Sequence, residues 1–494
     1  MHIIVNPQQM RALEARAFSL GVPSLLLMEN AARAAQQVVA QELHGVKGKD
    51  ILYLAGKGNN GGDGLAMARL CLKNGGKPRV LLLGAPETAD AQTNLSYIKA
   101  LDIPVILWDE PAAREGLLRA PDAVVDAMFG IGFHGCLPEA LEQLSAVIAS
   151  WRVPVFAVDI PSGMDGRTGR IAGGVIAASH TLAIGHLKTG HCLSPHLDTM
   201  GKVHMLPIGI PEAAYQALEG QCILTALEAG DLPGRLPARS RNAHKGDAGR
   251  VLLYMGSAGM TGAAGMAALA CLRAGAGLVT LACDPDIMPI LQTLVPNAMC
   301  LPIDRALTKT PRHEVLALGS GLGQSEDLWE NILGLWHPDR RSVWDADALN
   351  LLALKPMKLG EKAVITPHPG EAARLLDVPL SQILNDPLGS AQALQERYDC
   401  TVVLKSACSV ICDGQRAALN ILGSPALSKG GSGDALTGIL AGLTAQQPDA
   451  PGFETARTAC LWLGLAGRLA EQIHGVHGAL TSEVIACMHP AAKP

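Results

Sequence analysis

The sequence of 494 residues predicts an α/β protein of two domains, each with a parallel sheet that helices cover on both faces. Short runs that are apolar at consecutive positions alternate with amphipathic stretches, which is typical of strands buried on both faces. This alternation of apolar runs and amphipathic stretches ends near residue 211 and starts again after residue 248. The stretch between is rich in Pro and charge, so we place the boundary there and expect domains at residues 1–215 and 222–494.

Composition and charge limit the classes to which the chain can belong. Hydrophobic residues make up 48% and charged residues 17% of the chain, against about 25% charged in average proteins, which excludes a disordered chain. The net charge of −5 offers no general basic field to nucleic acid or anionic lipid. No apolar run approaches the ~18 residues of a membrane span, and no signal-peptide pattern opens the sequence. The twelve scattered cysteines favour free thiols in a reducing compartment. We expect a cytoplasmic homo-oligomer with no nucleic-acid or membrane partner.

The first domain begins with helical spacing over residues 7–42, which Pro and Gly at 21–23 divide into two helices. Buried strands are expected at residues 51–55, 79–83, 123–126, 155–159 and 181–184. Helices are expected between them, at residues 64–73 and 139–150. This order predicts a doubly wound sheet.

Three strand ends of this domain carry polar groups on glycine-rich loops. The first strand leads into GKGNNGGDG at residues 56–64, directly before a helix. Glycines let backbone amides approach an anion, and a helix N-terminus attracts phosphate. Asp126 and Asp159 each end a strand, and glycine-rich loops follow them. Because the carboxyl ends of parallel strands meet at one edge of the sheet, these loops are expected to converge on one crevice.

The segments GNNGGDG, VDAMFGIG and VDIPSGMDG resemble the signature segments of the NAD(P)H-hydrate epimerase domain, over about residues 7–210. The resemblance implies a Rossmann-like, three-layer α/β/α fold. It also implies that the hydrated dinucleotide is bound by Asp159 and by two loops, Asn59, Asn60, Gly61, Gly62, Asp63 and Gly130, Ile131, Gly132, Phe133, His134, Gly135, Cys136. It places a potassium ion on Asn60, Asp126 and Ser162, whose oxygens are hard donors for a hard cation. Asp159 is the first candidate for the acid/base group and Lys188 the second.

In the second domain, strands are expected at residues 250–255, 279–282, 315–318, 342–345, 363–366, 401–404 and 410–412. Its most specific feature is KGGSGD at residues 429–434, followed by a helix at 435–445. Three glycines turn backbone amides towards one point at the helix N-terminus, which forms a nest for a transferring phosphoryl group. Asp434 is then placed to take a proton from a substrate hydroxyl. The segment resembles the GxGD motif of ribokinase-like kinases.

Six further segments narrow the family: HKGDAGR, GSAGMTGAA, GSGLG, DADALN, TPHPGE and KSACS. Together they resemble the ADP- or ATP-dependent NAD(P)H-hydrate dehydratase, a ribokinase-like α/β domain, over about residues 222–490. The resemblance implies that the hydrate is contacted by Ala263, Gly323, His368 and Asp434. It assigns the nucleotide to Lys405, Ser406, Ala407, Cys408, Ser409 and Gly433. The family usually has KGAGT where this chain has KSACS, and ATGGSGD where this chain places Lys429 before the glycines.

The two resemblances imply one bifunctional enzyme, an isomerase and lyase that repairs hydrated NADH and NADPH (NADHX and NADPHX). The first domain interconverts the R and S hydrates. The second uses ADP, with Mg²⁺, to phosphorylate the S hydrate and release NAD(P)H, AMP and phosphate. One alternative is a ribokinase-like vitamin kinase fused to a non-catalytic nucleotide-binding domain, against which TPHPGE and DADALN argue. The other is a non-catalytic scaffold, against which the intact Asp159 and Asp434 argue.

Overall fold

The computed structural model describes residues 1–109, 119–309, 315–323 and 325–492. The chain forms two compact units. The first comprises residues 3–223, and the second comprises the chain from residue 224 onward together with residues 1 and 2. Residues 211–247, expected as a boundary stretch, contain four short elements, Glu212–Leu218, Leu224–Ala226, Ala229–Asp231 and Leu232–Arg235.

The first unit is built on a seven-stranded sheet in which every neighbouring pair is parallel. From one edge to the other, the strands are Val105–Leu107, Lys77–Leu82, Asp50–Ala55, Ala123–Ala127, Val155–Val158, His180–Ile184 and Lys202–Leu206. The strand His2–Val5 pairs in parallel with Leu187–Lys188, with Val5 opposite Lys188.

Helices cover both faces of this sheet. They are Pro7–Ser19, Ser24–Glu42, Asn59–Lys73, Ala89–Ala100, Glu139–Trp151 and Thr189–Leu193, with 3₁₀ turns at Leu197–Met200 and Glu212–Leu218. Alternate residues of one strand enter different apolar clusters. Ile51 and Tyr53 belong to one cluster, whereas Leu52 and Leu54 belong to the other. Because side chains alternate across a strand, a run apolar at every position requires two covered faces, as the sequence predicted.

The second unit contains a larger sheet. In spatial order the strands are Met299–Pro302, Leu278–Cys283, Arg250–Tyr254, Val315–Leu318, Ser342–Trp344, Ala363–Ile365, Thr401–Leu404, Ser409–Cys412, Ala417–Asn420 and Leu224–Ala226. The first seven are parallel, but Thr401–Leu404, Ser409–Cys412 and Ala417–Asn420 are successively antiparallel. The expected texture was parallel throughout. The connections of four residues, 405–408 and 413–416, reverse the chain because a parallel crossover needs a dozen residues or more.

The helices of the second unit are Leu232–Arg235, Thr261–Arg273, Met288–Leu294, Ile303–Lys309, Glu326–Leu335, Ala346–Leu354, Pro369–Leu376, Leu380–Asn385, Pro387–Tyr398, Ser432–Gln446, Gly452–His474 and Thr481–Ala491. Short 3₁₀ turns lie at Ala229–Asp231, Pro285–Ile287 and Pro425–Leu427. The helix Ser432–Gln446 packs against Thr261–Arg273 in the largest apolar cluster of this unit. Gly438 and Gly442 lie at that contact, where added Cβ atoms would meet the backbone of Ala267 and Cys271.

No disulfide joins any of the twelve cysteines, all of which lie among the described residues, and Cys136 and Cys222 are exposed. Among the described residues, no helix is both long enough and apolar enough to cross a membrane.

Candidate active sites

A cavity of about 870 Å³ lies at the carboxyl ends of the first unit's strands. Three predicted segments contribute to its wall: residues 57–60 after the strand Asp50–Ala55, residues 128–134 after Ala123–Ala127, and Asp159 after Val155–Val158. Met10, Arg11 and Glu14 of the first helix complete another side. The predicted convergence of strand ends therefore occurs, in a cavity large enough for a dinucleotide-sized ligand.

Close backbone packing holds these loops together. A Cβ atom on Gly56 would clash with the carbonyl oxygen of Met128, and one on Gly61 would clash with the carbonyl oxygen of Gly56. A Cβ atom on Gly130 would lie 3.2 Å from Asp159 Oδ2. The segment expected as a loop to residue 64 is helical from Asn59, so its last glycines form the first turn of the helix Asn59–Lys73.

Asp159 adopts the left-handed conformation, with φ of 68°, immediately after the strand Val155–Val158. A non-glycine residue in this region is strained by about 1 kcal/mol or more and requires support. Its Oδ1 accepts a hydrogen bond from Lys188 Nζ at 2.6 Å, and its Oδ2 accepts one from the backbone N–H of Ile131 at 3.2 Å. Lys188 Nζ also donates to the carbonyl oxygen of Ile184 at 2.5 Å. The salt bridge is therefore buried and fixed from both sides.

His191 supports both members of this salt bridge. The backbone N–H of Lys188 donates to His191 Nδ1 at 3.0 Å, and His191 Nε2 lies 2.8 Å from the carbonyl oxygen of Asp159. Burial lowers the pKa of His191 to about 4, so the ring is neutral at pH 7. Its one proton must sit on Nε2, because Nδ1 accepts a hydrogen bond. His191 thereby holds the strained backbone of Asp159.

Two more carboxyl groups, Glu14 and Asp63, line the same cavity. Burial raises the pKa of Glu14, and the charge of Asp159 raises it further against the opposing charge of Lys188. Burial also raises the pKa of Asp63 well above its ordinary range, with the charges of Asp159 and Glu14 adding to the effect. Both shifts favour the protonated form, and both carboxyl groups line the cavity that contains the salt bridge.

The three residues expected to hold potassium are Asn60, Asp126 and Ser162. Asp126 is fully buried, and it accepts hydrogen bonds from Ser162 Oγ at 2.6 Å and from the backbone N–H of Ser162 at 2.8 Å. Within the described part of the chain, no basic side chain forms an ion pair with it. Burial raises the pKa of Asp126 to about 6. Asn60 Nδ2 is buried without a hydrogen-bond partner among the described residues. A buried acid without a counter-charge, a hydroxyl oxygen and the Oδ1 atom of the Asn60 amide are the hard oxygen donors that suit a monovalent cation.

The wall includes most residues expected to bind the dinucleotide: Asn59, Asn60, Asp63, Gly130, Ile131, Gly132, Phe133, His134 and Asp159. Of the described residues, Gly61, Gly62, Gly135 and Cys136 do not line it. Gly61 and Gly62 are buried in the first helical turn. Cys136 Sγ instead donates to the carbonyl oxygen of Ala172 at 3.4 Å.

In the second unit, Asp434 lies in the first turn of the helix Ser432–Gln446, which begins after Gly431 with φ of 94°. Burial raises the pKa of Asp434 to about 6, and the charge of Asp345 contributes. Asp345 is itself buried and accepts hydrogen bonds from Lys405 Nζ at 2.6 Å and Thr437 Oγ1 at 3.0 Å. The predicted base therefore lies in a cluster of acids around one lysine.

His368 joins this cluster through Glu371. His368 Nδ1 accepts hydrogen bonds from the backbone N–H groups of Gly370 at 3.0 Å and Glu371 at 3.4 Å, so it caps the helix Pro369–Leu376. Burial and the charge of Lys405 lower the pKa of His368, which keeps the ring neutral and its proton on Nε2, 3.3 Å from Glu371 Oε1. Glu371 Oε2 lies 4.0 Å from Lys405 Nζ. Contact of His368 with a hydrate stays a prediction.

The other residues expected near the hydrate and nucleotide lie at neighbouring strand ends. The backbone N–H of Gly323 donates to Asp347 Oδ2 at 2.8 Å. Ala263 lies beside Gly321, where an added Cβ would be 3.1 Å from the Ala263 methyl group. An added Cβ on Gly433 would lie 3.3 Å from Lys405 Nζ, so the Gly433 backbone lies against that ammonium group.

The segment Lys405, Ser406, Ala407, Cys408 and Ser409 turns from the strand Thr401–Leu404 into Ser409–Cys412. Ser406 and Ala407 are exposed and Cys408 is buried. Ser406 Oγ donates to the carbonyl oxygen of Cys408 at 2.6 Å, which closes the turn. Lys429, which precedes the glycines of KGGSGD, donates to the carbonyl oxygen of His477 at 2.7 Å.

Several site residues had no predicted role. Glu14 and His191 lie outside the quoted motifs of the first domain. Asp345 and Glu371 lie inside DADALN and TPHPGE, but the role of each depends on the position of Lys405. A strand-end Asp before a helix was the available signal for Asp345.

Two family models match the sequence: one described as NAD(P)H-hydrate dehydratase over residues 251–490, and one described as YjeF-related protein N-terminus over residues 24–190. The bifunctional NAD(P)H-hydrate repair enzyme of Moorella thermoacetica is 36% identical, over 96% of this chain and 92% of that protein. The enzyme of the same name from Escherichia coli is 34% identical, over 96% and 91%. A crystal structure of the ADP/ATP-dependent NAD(P)H-hydrate dehydratase from Bacillus subtilis, co-crystallised with ATP and Mg²⁺, is 26% identical, covers 54% of this chain and 97% of that one, and has a TM-score of 0.49.

Proposed function

The chain belongs to the family of bifunctional NAD(P)H-hydrate repair enzymes, and from this premise we propose that its first unit epimerises hydrated NADH and NADPH while its second unit dehydrates the S hydrate. Relatives named bifunctional NAD(P)H-hydrate repair enzymes match nearly the whole length of this chain. They favour repair over the alternative of a vitamin kinase fused to a nucleotide-binding domain. The cavity with the Asp159–Lys188 salt bridge and the two carboxyl groups of Glu14 and Asp63 supports the first assignment.

For epimerisation, the substrate carries a hydroxyl at C6 of the reduced nicotinamide ring, next to the ring nitrogen. Nitrogen can assist the departure of that oxygen, and its return on the other face inverts the centre. Glu14 or Asp63, whose pKa values are raised by burial, can give the leaving oxygen its proton. Asp159, held by Lys188 and Ile131, is placed to accept a proton from the returning water. The Gly130 loop lies against Asp159 and binds the dinucleotide beside it.

Potassium suits Asn60, Asp126 and Ser162, because they offer an amide oxygen, a buried carboxylate without a described basic partner and a buried hydroxyl. When bound, the ion supplies positive charge that stabilises ionised Asp126 and the loops after two strands.

For dehydration, Asp434 takes the proton from the C6 hydroxyl of the hydrate. The oxygen of that hydroxyl then attacks the terminal phosphoryl group of ADP. A base with a pKa of about 6 is well matched to neutral pH. The N-terminus of the helix Ser432–Gln446, with the Gly433 backbone and Lys405 beside it, attracts the transferred phosphoryl group. AMP leaves, the ring nitrogen expels phosphate from C6, and loss of a proton from the neighbouring carbon restores the dihydronicotinamide. Asp345 and Glu371 supply oxygen ligands of the kind that suit Mg²⁺.

The test incubates the full chain with a mixture of NADHX epimers, Mg²⁺ and either ADP or ATP, and follows NADH absorbance. Complete conversion with nucleotide, and none without it, is the expected result. Conversion of only the S fraction would leave the second assignment intact and remove the first. A phosphorylated product that persists would favour the vitamin kinase. Cytoplasmic location, a homo-oligomeric state, the preference for ADP and the lack of nucleic-acid or membrane partners stay predictions.

A further inference from the structure

Two imidazoles and a carboxylate meet at the amino-terminal end of the first unit's sheet, opposite the end that carries the cavity. His180 is the first residue of the strand His180–Ile184, and His204 is the third residue of its neighbour Lys202–Leu206. His180 is in register with Lys202, so His180 and His204 lie two positions apart on the same face. Glu42 is the last residue of the helix Ser24–Glu42.

The donor atoms of these three side chains, the Glu42–His180–His204 cluster, have the spacing of a metal's ligands. His180 Nδ1 lies 3.2 Å from His204 Nε2, and His204 Nε2 lies 3.7 Å from Glu42 Oε1. All three donor atoms lie within 4.8 Å of one another. Two nitrogens bound to one tetrahedral zinc ion at ~2.05 Å stand about 3.3 Å apart. The two nitrogens are therefore already at ligand spacing, and Glu42 needs a small side-chain rotation.

The surroundings keep both rings in the state that binds metal. Burial lowers the pKa of His180 and of His204, which favours neutral imidazole. Since His180 Nδ1 and His204 Nε2 now share a hydrogen bond, the ring that donates must move its proton to its other nitrogen when an ion binds. Phe156, opposite His180 on the adjoining strand, stacks on its ring at 4.9 Å between centroids. The orientation of His180 is therefore fixed before any ion arrives.

The charges that face the cluster come from Glu42 and Lys202. Lys202 Nζ lies 2.8 Å from Glu42 Oε1 and holds the pKa of Glu42 below its ordinary value. The Lys202 side chain is 66% exposed, so it can turn into solvent. It competes with a cation for the same carboxylate oxygen.

We propose that Glu42, His180 and His204 bind one divalent transition-metal ion, Zn²⁺ or an ion of similar preference, with water at the remaining position. Two imidazole nitrogens and one carboxylate oxygen suit such an ion, whereas Mg²⁺ and Ca²⁺ prefer oxygen alone. The ion joins the end of a helix to two strands, so it stabilises the first unit. The site is independent of the repair activities, because its ligands lie at the opposite strand ends.

The test titrates the full chain with Co²⁺ and with Zn²⁺ by calorimetry, and measures thermal unfolding with and without each ion. The exposed thiols of Cys136 and Cys222 also bind these ions, so the readout is the difference between variants. His180→Gln/His204→Gln is expected to lose one equivalent of bound ion and the associated rise in Tm. His196→Gln, at an exposed histidine that is not a member of the cluster, is the matched control and should bind as the wild type does.

The Lys202→Gln variant is expected to change the affinity for the ion in the opposite direction. Removing a competing positive charge about 4 Å from the ion is expected to tighten binding about fivefold or more. Glu42→Gln serves as a second loss variant if the histidine variants fold poorly, and it should weaken binding. Equal stoichiometry and affinity in the wild type and the loss variants would overturn the proposal, and so would a wild type that binds no ion at this position.

Discussion

The buried carboxylate of Asp126 makes the potassium proposal measurable. Asp126→Asn keeps the shape of the side chain and removes its charge. The Asn oxygen still accepts the backbone N–H of Ser162, and its amide nitrogen can donate to Ser162 Oγ in place of the present bond from that hydroxyl. The weaker bond from the Met128 N–H, at 3.3 Å, is lost. The variant is therefore expected to fold, and it tests charge rather than packing.

Competition between potassium and a proton for Asp126 determines how the apparent dissociation constant for K⁺ depends on pH. With a pKa of about 6 in the ion-free protein, Asp126 is ionised in about one molecule in eleven at pH 5 and almost fully at pH 8. The apparent dissociation constant for K⁺ scales inversely with the fraction competent to bind. It should be about tenfold higher at pH 5 than at pH 8 in the wild type, and the variant should show no K⁺ response at either pH.

The ionisation of Asp126 also determines how the free energy of unfolding depends on pH when no potassium is bound. The pKa of Asp126 is raised from 3.8 to about 6 on folding, so the folded state retains a proton that the unfolded chain releases. The contribution of Asp126 to the free energy of unfolding is therefore largest below pH 4. It falls by about 3 kcal/mol in total as the pH rises from about 4 to 6. Asp126→Asn escapes this loss. In K⁺-free buffer at pH 8 it should be at least as stable as the wild type.

The assay is thermal unfolding of the full chain in KCl and in tetramethylammonium chloride of equal ionic strength, across a K⁺ series at both pH values. Asp198→Asn, the same chemical change at an exposed position, is the control and should retain the wild-type K⁺ response. Potassium that stabilises Asp126→Asn as much as the wild type would refute the assignment of the ion to this site. A crystal soaked in Rb⁺ with no anomalous peak beside Asp126 would do the same.

Asp434→Asn is expected to lower the rate of NADH release about 10²- to 10⁴-fold, as loss of a general base does. The R and S hydrates should still interconvert, as measured by chromatography. Release of NADH at the wild-type rate would exclude Asp434 as the base. Asp159→Ala should convert the S hydrate and then stop, and mixing it with Asp434→Asn should restore full conversion through diffusion of the hydrate. A failed mixture of two folded, singly active variants would show that substrate passes directly between the units. His191→Ala leaves the Asp159 carbonyl and the Lys188 amide without their partner, so epimerase kcat should fall about 10- to 100-fold with little change in KM; unchanged kcat would show that the rest of the fold positions the pair.

Local pattern was sufficient to predict the strands because their burial is continuous along the chain. Residues 51–55 and 402–404 are apolar at every position, and the structure places strands at Asp50–Ala55 and Thr401–Leu404. The reversal after residue 404 was not predicted, since an apolar run does not state the direction of its neighbour. The glycines at 61 and 62 were assigned to a loop, but their low helix propensity is outweighed by packing against Gly56 and Met28.

The candidate sites were predictable where a residue carries its own signal and hidden where its role depends on a distant partner. Asp159 ends a buried strand, and this position alone placed it at the crevice. Glu14 is an ordinary helical acid until the fold brings it to the cavity wall. Asp345 binds Lys405, 60 residues further along the chain, and the local sequence around either residue does not predict this contact.

The close approach at Gly56 and Gly61 restricts how this loop can vary during evolution. Any side chain at either position would displace the backbone that joins two strand ends, so single substitutions there are expected to be eliminated in a deep mutational scan. Gly58 and Gly132 have no atom within 4 Å of an added Cβ and should accept alanine. Adaptation to a new ligand therefore has to proceed through open positions on the cavity wall, while the two closed glycines stay constant.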